Sequence, residues 1–222
     1  MRRFPARHHW ITAAALGSLG LLLLVLGATA RPLFIAENPS STTILNATEI
    51  GFTQDMLAHH QQALIIVQRL SPDADSTVRQ LAQQIADNQR IEIGMMMGWL
   101  RLANAVPTDP HPMAWMHDSS TSMMAGHAHP APPATTTPAT TMPGMASSAE
   151  LDALSAASGR DAEVLFLQLM QRHHYGGVAM AQTADALLTG GQVKLAARDM
   201  VSTQSQELGF IGLLLAQRTG LG

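Results

Sequence analysis

From Phe52 onward, apolar residues return every three or four positions. Phe52, Met56, Ala63, Val67 and Leu70 fall on one helical stripe. Asn46, with Glu49 three residues later, is a capping box that opens this helix, and Ser71-Pro72-Asp73 closes it. A second helix is expected from about Asp75 to Ala103. Its stripe runs Val78, Leu81, Ile85, Asn88, Glu92, Met96 and Trp99, so polar groups sit in the middle of an otherwise apolar line. Further on, Ser147 with Glu150 is another capping box and opens a short helix to about Ala157. A long helix follows from about Arg160 to Thr189. Gly190-Gly191 breaks it, and a last helix runs from about Gln192 to Gln217. No strand-like alternation stands out. The fold class is therefore all-α: an antiparallel four-helix bundle made of two helical hairpins, over 46–104 and 148–222, which together form one domain.

Residues 105–147 have another character. They hold eight of the twelve prolines, with Ala and Thr filling much of the rest, and read as a linker with no packed element. Residues 31–45 are a polar lead-in. Before them, Arg2, Arg3 and Arg7 precede an uncharged stretch over 10–30, about 31 Å long as a helix. It ends in Ala28-Thr29-Ala30, a small-x-small pattern. Residues 1–30 thus read as either a cleaved signal peptide or a membrane anchor with one transmembrane helix. Both place the body outside the cytoplasm, in the periplasm, at the cell surface or secreted.

The two hairpins repeat one another. Phe52-x3-Met56-x2-His59-His60 matches Phe166-x3-Met170-x2-His173-His174 at an offset of 114. Gln89-x2-Glu92 matches Gln204-x2-Glu207 at 115, and Gly94 matches Gly209 at the same offset. One residue has been inserted in the second hairpin turn. A duplicated hairpin is the simplest account, and it predicts a pseudo-two-fold axis with the two motifs facing each other.

Composition narrows the chemistry. Among 222 residues, 13 basic against 16 acidic leave a net charge of −3, and aromatics make up 4%. Neither the charge nor the stacking surface needed for nucleic acid is present. The absence of Cys removes disulfides, thiolate metal sites and cysteine nucleophiles. In their place stand 14 Met and 10 His. Successive helix residues differ by about 100°, so His59 points inward along the stripe while His60 lies on the flank, four residues after Met56. His173 and His174 repeat this with Met170. Glu92 and Glu207 come from the second helix of each hairpin, and Met96 extends the row.

Imidazole with thioether is a soft-to-borderline donor set, which suits copper, as Cu(I) or Cu(II), better than calcium or magnesium. The Glu-x-x-His pairs of a di-iron bundle are absent. The linker adds His111, Met113, Met116, His117, Met123, Met124, His127 and His129, followed by Met142 and Met145. In a Pro/Thr-rich segment these read as a copper-capturing strap with many weak ligands at high local concentration.

The doubled M-x2-H-H motif, each followed by Q-x2-E on the next helix, resembles domain-of-unknown-function family 305. Its members are secreted or membrane-anchored bacterial proteins of ferritin-like, four-helix form, and the copper-binding periplasmic CopM proteins belong to it. The resemblance covers about residues 46–222, and Pro143-Gly144-Met145 also fits the family pattern. It implies copper binding and copper tolerance, with Met56, His59, His60, Met170, His173 and His174 as ligands and Glu92 and Glu207 nearby. This sequence has Gly177 where the first repeat has Ala63, which is expected only to tighten helix packing. It also has Ile211 where the first repeat has Met96, so the two halves are expected to differ in affinity.

The expected function is non-enzymatic copper sequestration or transfer outside the membrane, with copper ions as the partner. A ferritin-like metal oxidase and a metal-free partner-binding bundle are the rivals, and a homo-oligomer stays open.

Overall fold

The computed structural model describes residues 16–26, 44–116 and 142–220. Two compact units divide the chain, 1–42 and 43–222. In the first, residues 16–26 form a helix, α1. Of the transmembrane helix expected over 10–30, residues 16–26 are described and the rest lie outside the described residues. Among those described, no helix is long and apolar enough to cross a membrane.

The second unit holds α2 (Ala47–Arg69), α3 (Ser76–Leu102), α4 (Ser148–Ala156), α5 (Gly159–Leu187) and α6 (Gln192–Thr219), with a short 3-10 turn at Ala114–Met116. The described residues contain six helices and no strand. Both expected capping boxes are formed: Asn46 with Glu49 and Ser147 with Glu150 each exchange two hydrogen bonds. Asp75 caps α3 by accepting from the Thr77 amide. Helices α2–α3 and α5–α6 are the two hairpins, and α2 packs against α5 to join them.

The core is two apolar clusters rather than one. The first gathers Phe52, Met56 and Leu57 with Met96 and Leu100 from the first hairpin, and Met180, Ala184, Val193 and Met200 from the second. The second gathers Ala63, Ile66, Val78, Leu81 and Ile85 with Phe166, Leu167, Met170, Ile211 and Leu214. The repeat offset exchanges them: Phe52 of the first matches Phe166 of the second, and Met96 matches Ile211. Each cluster therefore uses the amino-terminal half of one motif helix and the carboxy-terminal half of the other. Between them, midway along α2 and α5, lie His59-His60 and His173-His174. The polar groups that interrupt the stripe of α3 belong to this middle layer.

One expectation is corrected here. The two described ends of the 105–147 segment pack on the bundle. Met113 is buried, and its φ of +68° puts it in the left-handed region that non-glycine residues seldom occupy. Asp55 compensates, accepting from the Met113 amide at 2.7 Å and from Trp115 Nε1 at 2.8 Å. Trp115 packs edge-on against Phe52 at 5.4 Å and presses on Gly51, where a Cβ would come within 2.8 Å of it. Met116 and Met142 are partly buried against the first cluster. Here Met113, Met116 and Met142 fill core, as methionine ordinarily does.

Candidate metal centre

His59, His60, His173 and His174 are at most 1% exposed. His60 and His174, expected on the flank, are as buried as the inward His59 and His173. Each turns toward the second helix of its own hairpin, where a carboxylate meets it. His60 Nε2 lies 2.5 Å from Glu92 Oε2, and His174 Nε2 lies 2.6 Å from Glu207 Oε2. The inward pair meets across the α2–α5 contact: the His59 and His173 rings stand 3.8 Å apart at 33°. His173 Nε2 donates to the backbone oxygen of His59 at 3.0 Å. His59 Nε2 donates to the Pro143 carbonyl at 3.1 Å.

These partners set the ring chemistry. A backbone carbonyl and a carboxylate oxygen accept and do not donate, so the Nε2 facing each of them carries the hydrogen. In a neutral ring held this way, Nδ1 keeps its lone pair. The Nδ1 atoms of all four histidines are buried and have no hydrogen-bond partner among the described residues. Burial, followed by the nearby His60, depresses the His59 pKa to about 3. Burial and the neighbouring His59, His174 and His60 likewise hold His173 well below the ordinary value. Both rings are neutral Lewis bases at physiological pH. Gln89 Oε1 and both polar atoms of the Gln204 carboxamide are also buried without partners among the described residues. Such a set of unmet polar atoms calls for a bound ion or solvent.

The two halves are not equivalent. Glu207 also accepts from Asn88 Nδ2 at 2.8 Å. The repeat places Thr203 at the position of Asn88, and among the described residues Glu92 has no such brace. Its side chain is 15% exposed, against 3% for Glu207. Gly177 does more than tighten packing: a Cβ there would fall 2.4 Å from Gln204 Oε1, so the glycine makes room for the buried carboxamide.

Met56 and Met170 are fully buried but belong to different clusters, and Met96 packs in the first cluster with Met56. Among the described residues, no group of three or more His, Asp or Glu side chains is already arranged to hold a metal ion. His111 is exposed. His117, Met123, Met124, His127 and His129 lie outside the described residues.

Sequence reasoning missed the partners supplied by the segment before α4. In the sequence, Pro143 carries no signal beyond its place in the Pro-rich segment and the family pattern. Gln62, whose side chain exchanges two hydrogen bonds with the Ala146 backbone, gave no signal. Nothing in helical periodicity reports on what a loop will lay across a helix.

Fold and layer together define a class: a duplicated-hairpin four-helix bundle with a buried imidazole layer at its waist. The family described as Domain of unknown function (DUF305) matches residues 49–212, and the chain belongs to that family. A DUF305 protein from Streptomyces coelicolor, named as secreted, is 37% identical. The match covers 78% of this chain and 92% of that one, with a TM-score of 0.65. A DUF305 fragment from Deinococcus radiodurans is 31% identical over 78% and 97% of the two chains, with a TM-score of 0.59. CopM in its Cu(II)-bound form shares the fold at 19% identity and a TM-score of 0.52, covering 76% of this chain and 96% of that one. No functionally curated protein matches the chain.

Proposed function

We propose that this protein binds copper outside the cytoplasm and sequesters or passes it on, without turnover. The observation that carries the reading is the quartet of buried Nδ1 atoms without a hydrogen-bond partner among the described residues, two of them on His59 and His173, whose rings burial keeps neutral. A ring nitrogen fixed by a carboxylate or carbonyl on its far side is the usual second contact of a metal-bound histidine. Neutral imidazole serves both Cu(I) and Cu(II), and thioether favours Cu(I). Met56 and Met170 lie one helical turn before His60 and His174 and are the nearest sulfur donors by sequence. Because no three ligands are already grouped, rings must turn for the ion to be held. CopM, which shares the fold, has been solved in Cu(II)-bound and Cu(I)-bound forms, and this supports copper over other borderline metals. Glu92 and Glu207 are the carboxylates at this layer, fewer than the four of a di-iron bundle, which favours holding a metal over oxidising it. The Arg-led apolar amino terminus and the secreted Streptomyces coelicolor relative support an extracytoplasmic place, reached by signal cleavage or by anchorage.

The test is anaerobic titration with Cu(I) against a competing chelator. The chain is compared with a variant carrying His59→Gln, His60→Gln, His173→Gln and His174→Gln. Loss of at least one tightly held equivalent is expected. Identical retention by both proteins would remove the buried layer as the site.

A further inference from the structure

The segment between Met142 and Glu150 crosses the seam of α2 and α5 directly over the inward imidazoles. Its Pro143 carbonyl is the group that His59 Nε2 donates to. Gly144, at φ +81°, lies so close to α5 that a Cβ would come within 2.4 Å of the Arg172 carbonyl and 3.0 Å of His173 Cα. From the other side, a Cβ on Gly176 would fall 2.0 Å from the Pro143 oxygen. Two glycines, one on the segment and one on the helix, thus permit a backbone-to-backbone approach that any side chain would block.

Beyond this contact the segment is held by side chains from both helices. Gln62 of α2 accepts from the Ala146 amide at 2.6 Å and donates to the Ala146 oxygen at 2.8 Å. Arg172 of α5 grips Glu150 with two parallel bonds of 2.6 and 2.8 Å. Arg172 is exposed and Gln62 half-buried, so both holds are at the surface, while Met142 of the segment packs against the first apolar cluster and Ala146 belongs to the second.

We propose that residues 142–150 are a strap that controls access to His59 and His173, and that Gln62 and Arg172 are its latch. While the segment is seated, its backbone lies on the seam beside His59 and His173, and a reagent reaches these rings when the segment lifts. His60 and His174 face Glu92 and Glu207 on the hairpin flanks and stand outside its control. The purpose of the strap rests on the metal reading above; its geometry does not.

The experiment uses the full chain and two readouts. The first is the rate of carbethoxylation of each histidine by diethyl pyrocarbonate at pH 7, mapped by mass spectrometry. Gly176→Ala should strengthen α5 by helix propensity while pushing the strap away, and Arg172→Gln opens the latch directly. Each should speed modification of His59 on the order of tenfold, with His60 and His174 unchanged. Arg198→Gln, which removes the ion pair to Asp185, is the control and should change nothing. An unaltered His59 rate in both variants would overturn the strap. So would an equal rise at all four imidazoles, which would report general loosening.

The second readout is the stopped-flow rate of Cu(I) uptake from a chelator complex. It should rise in both variants with final occupancy unchanged. If His59 becomes reactive while the wild-type chain takes up no copper, the strap stands and the copper reading falls. If copper is bound while neither its rate of uptake nor the His59 rate changes in the two variants, the strap is overturned and the copper reading stands.

Discussion

His59 shows how burial sets chemistry at the scale of one residue. Its pKa near 3 lies below the ordinary 6.5, so the folded chain refuses a proton that the unfolded chain accepts. Above pH 6.5 neither state is protonated and the full stability is present. As pH falls from 6.5 toward 3, the unfolded state gains protons and stability is lost, by at most about 1.4 kcal/mol per pH unit for such a ring. His173 acts in the same direction. Thermal unfolding of the metal-free protein should therefore show a lower midpoint at pH 5 than at pH 7.5. A combined His59→Gln and His173→Gln variant should flatten that dependence. Asp55 offers a second test at this scale. Removing its carboxylate leaves the Met113 amide and the Trp115 indole without their acceptor, so Asp55→Ala should cost about 2–4 kcal/mol in denaturant unfolding. Trp115 emission should shift to the red as its anchor is lost.

At the scale of the element, helix starts were legible because capping is local. Asn46 and Glu49, or Ser147 and Glu150, are three residues apart and need no tertiary context. The imidazole layer was legible in part, because duplication printed it twice. What could not be read was direction. Sequence spacing put His60 on a flank, and only the neighbouring α3 with its Glu92 turns that flank into interior. The loop partners were hidden for a related reason: Pro143 reaches His59 across 84 residues, and no short-range pattern encodes such a contact. Met113 misled because Pro-rich surroundings usually mean solvent, whereas one buried carboxylate was enough to pin the backbone. The repeat also makes an energetic statement. Phe52 and Phe166 occupy matched, fully buried positions in the two clusters. Phe52→Ala and Phe166→Ala should each cost about 3–5 kcal/mol and agree to within about 1.5 kcal/mol in chemical denaturation. A large disparity would mean that the clusters are not energetic equivalents.

For the whole molecule, neither hairpin owns a core. Both clusters draw on α2–α3 and on α5–α6, and the His59–His173 contact spans the seam. Polypeptides covering 44–116 and 142–220, made separately, should be poorly helical alone. On mixing they should recover helicity by circular dichroism and co-elute as a one-to-one complex. Strong helicity in either piece alone would contradict this dependence. Copper, if held by the layer, should raise the midpoint of the intact chain, since an ion bound only by the folded form shifts the equilibrium by mass action.

The brace that Asn88 gives to Glu207, with Thr203 standing where its counterpart would be, makes the duplicated scaffold lopsided. One acid is fastened and shielded, while the other keeps some freedom and some contact with solvent. A perfectly mirrored vessel would fill both compartments along a single curve. On the copper reading proposed above, this one should load in two steps, the Glu207 side setting the tighter plateau, and Asn88→Ala should draw the two plateaus together.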